Sequence, residues 1–138
     1  MSRETKQIFV IEDNEADASL MEEALATAGL QYEVTRFRDG TEAMRFLLAQ
    51  GTLVPDAILL DLEMPQSEGL DILRRIRATP KLSEIPVGIV TGSNLLNDEQ
   101  RAKRIGASRY VHKPSSYDQF VNGVRQAVKQ MLERPGAA

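Results

Sequence analysis

The sequence predicts a doubly wound α/β domain: a five-stranded parallel sheet in the order 2-1-3-4-5 with helices on both faces. Three observations lead there. Short apolar runs alternate with amphipathic stretches five times along the 138 residues. The runs Ile8-Phe9-Val10-Ile11 and Ala57-Ile58-Leu59-Leu60 are continuous, as strands covered on both faces are. Strand–helix alternation implies parallel pairing through right-handed crossovers, and of the two common doubly wound orders five strands fit 2-1-3-4-5.

The elements follow in order. After the run at 8–11 come Glu12-Asp13, then Asn14 as N-cap, with Asp17 three residues on where a capping-box acid would sit. Leu20, Met21, Ala24, Leu25 and Ala28 keep helical spacing until Gly29. Residues 32–37 read as a strand with Val34 and Tyr32 inward, Asp39-Gly40 as a turn, and Ala43, Met44, Phe46, Leu47 and Leu48 as a helix stopped by Gly51. Val54-Pro55-Asp56 leads into the central strand, which delivers Asp61 to its end before Met64-Pro65 and a loop at 66–69. Leu70, Ile72, Leu73 and Ile76 make an amphipathic helix up to the Thr79-Pro80 break. Pro86 opens the fourth strand, Val87-Gly88-Ile89-Val90, ending at Thr91-Gly92-Ser93. A polar stretch at 94–97 precedes a short charged helix ended by Gly106, with Ala102 and Ile105 as its anchors. So few apolar contacts predict low local stability there. The fifth strand, 108–112, runs into Lys113-Pro114. In the last helix Phe120, Val121, Val124, Ala127, Val128, Met131 and Leu132 share a face before Pro135-Gly136.

Composition narrows the class. A chain 42% hydrophobic and 27% charged is one globular domain over 1–138, with its core at about 6–132. A net charge of -3 argues against a nucleic-acid partner, which needs a basic face. The absence of cysteine excludes disulfides and thiolate metal sites. No apolar run approaches a membrane span and no signal-peptide core is present, so the expected location is cytoplasmic, without membrane contact.

In such a sheet, ligands bind beyond the carboxyl ends of the strands, between strands 1 and 3. Strand 1 ends in Glu12-Asp13, strand 3 in Asp61, strand 4 in Thr91 and strand 5 in Lys113. Any one of these is ordinary by itself: a strand-end Asp caps turns and a Thr fills strands. All on one rim, they ask for a common explanation. Two carboxylates about 5 Å apart repel by roughly 3 kcal/mol at an effective dielectric near 20. A single Lys cannot neutralise three acids, so either a proton stays bound or a cation sits among them. Hard oxygen ligands without His or Cys select Mg²⁺, or Mn²⁺, over zinc. A metal-held phosphoryl donor beside a free carboxylate suits formation of an aspartyl phosphate on Asp61. Thr91 would donate a hydrogen bond to the transferred group and Lys113 would pair with it.

Glu12-Asp13, Asp61 with Met64-Pro65 and Gly69, Thr91-Gly92 and Lys113-Pro114 together resemble the receiver domain of two-component response regulators, a flavodoxin-like fold, over about residues 6 to 132. The resemblance implies that Asp61 accepts phosphate from a sensor histidine kinase. It implies that Asp13, Asp61 and the main-chain carbonyl of Glu63 bind Mg²⁺, with Glu12, where the family often has Asp, acting through a metal-bound water. It also implies a cis bond before Pro114, and that Tyr110 swings inward as Thr91 moves toward the phosphoryl group. The readout surface is then the face made by the fourth helix, fifth strand and last helix. The Ile85-Pro86 entry, the connection 79–84 and the segment 94–98 resemble single-domain regulators paired with phytochrome kinases. Such a protein is a phosphoacceptor rather than an enzyme with turnover, and no output domain is expected.

Other readings carry less. His112 ends a strand, whereas phosphoaccepting histidines of kinases sit on exposed helices, so a structural or surface role is expected. Arg101, Lys103 and Arg104 read as a solvated face. Met131 and Leu132 belong to the core stripe and are candidates for a homodimer contact. A haloacid-dehalogenase-like phosphatase would need a second Asp two residues after the nucleophile, where Glu63 stands, and a cap insertion. A phosphorylation-independent pseudo-receiver would not need the complete acid, hydroxyl and lysine set. Dinucleotide binding lacks its Gly-x-Gly-x-x-Gly after strand 1.

Overall fold

A computed structural model describes residues 5–26, 31–49, 51, 53–64, 69–92, 96–113 and 116–133. Expectations at Gly29, the 65–68 loop, the 93–95 segment, the bond before Pro114 and Pro135-Gly136 lie outside these residues. The chain alternates β1 (Lys6–Ile11), α1 (Glu15–Ala26), β2 (Tyr32–Phe37), α2 (Gly40–Leu48), β3 (Ala57–Leu60), α3 (Gly69–Ala78), β4 (Val87–Thr91), α4 (Leu96–Ile105), β5 (Arg109–His112) and α5 (Tyr117–Leu132). All pairings are parallel and the sheet order is β2-β1-β3-β4-β5, as expected.

Two boundaries differ from the sequence reading. Asp39 is the N-cap of α2, its carboxylate accepting from the Glu42 N–H at 2.7 Å, rather than only a turn residue. Helix α4 begins at Leu96, two residues inside the stretch expected to be polar loop. Asp98 and Glu99 lie within its first turn, where acids offset the helix dipole as well as they would at the cap.

Strand alternation divides the core into two layers. Phe9 and Ile11, Ile58 and Leu60, Val87 and Ile89 pack with α2, α3 and Ala102 of α4. Ile8 and Val10, Ala57 and Leu59, and Val90 pack with α1 and α5. Every residue of β3 is fully buried, and each large apolar side chain removed from water there contributes about 1.5–3 kcal/mol. Tyr32 and Val34 of edge strand β2 are only partly buried, both packed on the α1/α5 layer. Among the described side chains of α4, Ala102 is fully buried and Ile105 is partly buried.

The C-terminal end of α4 is tied down. Gly106 has φ +126, a conformation that favours glycine, and a Cβ there would meet Arg77 Nε at 2.9 Å. The Arg77 guanidinium on α3 donates to the Gly106 carbonyl at 2.8 and 3.0 Å. It also reaches the carbonyls of Ile85 at 2.7 Å and Ser83 at 3.2 Å, ahead of β4.

Candidate functional site

The carboxyl ends of β1, β3, β4 and β5 share one rim because the strands are parallel. Asp61 follows β3 directly, and its N–H still donates to the Ile11 carbonyl of β1 at 3.1 Å. Glu12 follows β1 in the same way, its N–H on the Phe37 carbonyl of β2 at 3.0 Å. The Lys113 N–H donates to the Thr91 carbonyl at 2.8 Å, which carries the β5 chain one residue past the sheet beside β4.

These backbone anchors bring the side chains together. Glu12, Asp13 and Asp61 each offer a carboxylate oxygen, and the three lie within 4.8 Å of one another. Lys113 Nζ donates to Glu12 Oε1 at 2.8 Å and to Asp61 Oδ2 at 3.3 Å. Asp61 Oδ1 accepts from the Glu63 N–H at 3.0 Å. Asp61 is only 3% exposed, whereas Asp13 beside it is exposed, so approach to the pocket is from the Asp13 side. Oxygen-only donors carrying three formal negative charges against a single ammonium fit a hard divalent cation.

The same alternation that splits the core splits the rim. Continuing β1 and β3 puts Glu12 and Asp61 on the α1/α5 side. Thr91, fully buried, continues the other set, and Tyr110 pairs with Ile89 and packs on that α3/α4 layer. The Tyr110 hydroxyl is buried and finds no hydrogen-bond partner among the described residues. Burial, then the negative charges of Asp98 and Glu99, push this phenol up to about 12. His112 is exposed, with its ring edge-on to Tyr110 at 5.7 Å, a surface placement as expected.

Electrostatics follow from crowding. Burial pushes the Glu12 carboxyl up to about 8, with Lys113 opposing and Asp61 reinforcing the rise. For Lys113, burial lowers the pKa, but its hydrogen bonds to Asp17 and Glu12 outweigh this and hold the ammonium above its ordinary value.

Two contributors were not legible in advance. Asp17 does not close a capping box. Its carboxylate accepts from Lys113 Nζ at 2.8 Å, because the N–H of Asn14 is already taken by Glu12 Oε2 at 3.2 Å. Asn14 itself caps as expected, its Oδ1 accepting from the Asp17 N–H at 2.9 Å. Arg36 of β2 donates to the carbonyls of Glu12 at 3.0 and 3.1 Å and Asp13 at 3.2 Å, bracing the acidic turn from outside. An Arg in an edge strand gives no sequence signal for that.

Gly69 opens α3 against the turn that carries Asp61. A Cβ at this position would lie 2.6 Å from the Asp61 carbonyl oxygen and from Leu62 Cα, so only glycine fits without moving backbone. Gly92 stands next to Glu63, whose Oε1 would make only an ordinary contact, at 3.4 Å, with an added Cβ.

Comparison with known proteins bears on this geometry. The family model for the response regulator receiver domain matches residues 8–125. Response regulator Rcp1 of Synechocystis sp. is 35% identical, over 99% of this chain and 97% of its own length. The crystal structure of the Mn²⁺-bound form of Rcp1 superposes with a TM-score of 0.85 at 32% identity, covering 93% of this chain and 95% of that one. The phosphorylated cyanobacterial phytochrome response regulator RcpA gives 0.86 at 34% identity, covering 94% and 95%. With the acids and lysine meeting at the switch point of a 2-1-3-4-5 sheet, the chain belongs to the response regulator receiver domain family.

Proposed function

We infer that Asp61 is the phosphoacceptor of this receiver domain, and that a histidine kinase of the phytochrome class supplies the phosphoryl group. The observation that carries the reading is the meeting of Lys113 with Glu12 and Asp61, from three separate strand ends, with Asp13 alongside. Glu12, Asp13, Asp61 and the main-chain carbonyl of Glu63 would hold Mg²⁺, or Mn²⁺ in its place. The bound ion supplies charge neutralisation for an incoming dianion that the acids would otherwise repel. The Mn²⁺ of Rcp1 and the phosphorylated state of RcpA, as those structures are described, support the same assignment here.

The chain's own groups have distinct tasks. The Glu63 N–H fixes Asp61 Oδ1. Oδ2, whose partner is the Lys113 ammonium, is the oxygen that attacks. A P–O bond forms to it as the P–N bond of the donor phosphohistidine breaks, and the leaving imidazole takes up a proton from solvent. Asp61 then carries a charge of about -1.5 to -2 and three further acceptor oxygens. Lys113 turns to these oxygens, and the Thr91 hydroxyl donates to them. Thr91 thereby moves toward the acid side of the rim, Tyr110 fills the space beside it, and α4 shifts. The α4-β5-α5 face is the readout surface and the face for a homodimer. Among the described residues no helix is long and apolar enough to cross a membrane.

The test is incubation with acetyl phosphate and magnesium, followed by intact mass and peptide mapping. The expected result is one added phosphoryl group on the Asp61 peptide, lost without magnesium and lost in Asp61→Asn. Labelling that survives Asp61→Asn would refute the assignment.

A further inference from the structure

Lys113 divides its ammonium among three carboxylates, and Asp17 is neither a strand-end residue nor a member of the three-acid cluster. Its contact, at 2.8 Å, is as short as that of Glu12 and shorter than that of Asp61 at 3.3 Å. An acid in the first turn of a helix offsets the helix dipole without further help. That accounts for an acid at this position but not for a short ion pair to a lysine 96 residues away.

An ammonium has three donors, and here carboxylates take all of them. A phosphoryl group formed on Asp61 Oδ2 can take over the Lys113 bond which that oxygen holds, the longest of the three, but gains a second one only by displacing Glu12 or Asp17. Glu12 is fully buried and cannot exchange Lys113 for water, whereas the Asp17 side chain is 31% exposed and can. Asp17 is also held in place by the chain that carries the acids: its N–H binds Asn14 Oδ1, and the Asn14 N–H binds Glu12 Oε2.

We propose that Asp17 is a positioning residue, which holds the Lys113 ammonium over the pocket at rest and competes with the phosphoryl group for it once Asp61 is modified. The inference rests on the reading of Asp61 as the phosphoacceptor. Asp17 thus weakens the grip of Lys113 on the phosphoryl group and tilts the equilibrium toward the resting state.

The test uses beryllofluoride as a stand-in for the phosphoryl group, with its affinity measured by calorimetry at saturating magnesium. Asp17→Asn and Asp17→Ala remove the competing charge and are expected to bind about three- to fivefold more tightly than the parent, the range of a partly exposed ion pair. Asp17→Glu keeps the charge and is expected to bind as the parent does. Glu15→Gln removes the same charge from the same helical turn, but Glu15 pairs with Arg38 on the surface at 3.5 Å, so no gain is expected. Melting curves check that each variant is folded, and the Lys113 ammonium signal in NMR is expected to move in Asp17→Asn and Asp17→Ala but not in Glu15→Gln. Unchanged or weaker binding in both neutral Asp17 variants would overturn the proposal, as would an equal gain in Glu15→Gln or in Asp17→Glu. If the parent protein does not bind beryllofluoride with magnesium, it is the phosphoacceptor reading that fails.

Discussion

Glu12 shows how the pocket is poised before any cation enters. Its native pKa, about 8, lies above the ordinary 4.5, chiefly because burial disfavours the charged form. Between those values the native state binds more protons than the unfolded chain, so metal-free stability falls as pH rises through the window, by up to about 1.4 kcal/mol per pH unit. Excess magnesium, which favours the ionised acid, is expected to flatten that fall, and Glu12→Gln to abolish it. Urea denaturation in a chelator at several pH values measures this, and stability that stays level or increases from about pH 5 to 8 would contradict it. At this scale Glu12, Asp13, Asp61, Thr91 and Lys113 could be picked out because each stands at the end of an expected strand, and the structure brings the three acids and Lys113 together. Asp17 and Arg36 could not be picked out. The first sits at a position that helix capping already explains, and the second acts through backbone carbonyls that no sequence pattern marks.

Among the elements, α4 is held firmly at its C-terminal end. Among its described side chains the fully buried one is Ala102, while Arg77 clamps the Gly106 carbonyl at its C-terminal end and joins it to α3 and the approach to β4. Removing the clamp by Arg77→Ala leaves three carbonyls short of a charged donor, and is expected to lower stability by about 2 kcal/mol in urea denaturation. Amide exchange at 104–107 should quicken with it. A loss below about 0.5 kcal/mol, within the range of an ordinary surface change, would show that the clamp does not hold the helix. The small apolar content of α4 could be read from its sequence. Its start at Leu96 could not, because acids stabilise the first turn and the cap alike, and the clamp depends on a residue 29 positions away.

Across the whole molecule, a parallel sheet gives one rim to all the strand ends, and side-chain alternation then assigns them to two layers. Glu12 and Asp61 lie on the side of α1 and α5, while Thr91 and Tyr110 face the layer containing α4. Sheet order and both layers followed from the alternation of apolar runs and amphipathic stretches, since continuous runs such as 57–60 must be covered on both sides. If Asp61 is the phosphoacceptor, the proposed route from its charge change to α4 runs through Thr91, whose side chain belongs to the α4 layer. The most direct test records amide NMR spectra of the uniformly labelled protein with beryllofluoride, with magnesium and with both. The account predicts that only the combination shifts Asp61, Thr91, Tyr110 and the amides of α4 together. Spectra unchanged by the combination, or shifts confined to the acids with Thr91 and Tyr110 unmoved, would contradict it.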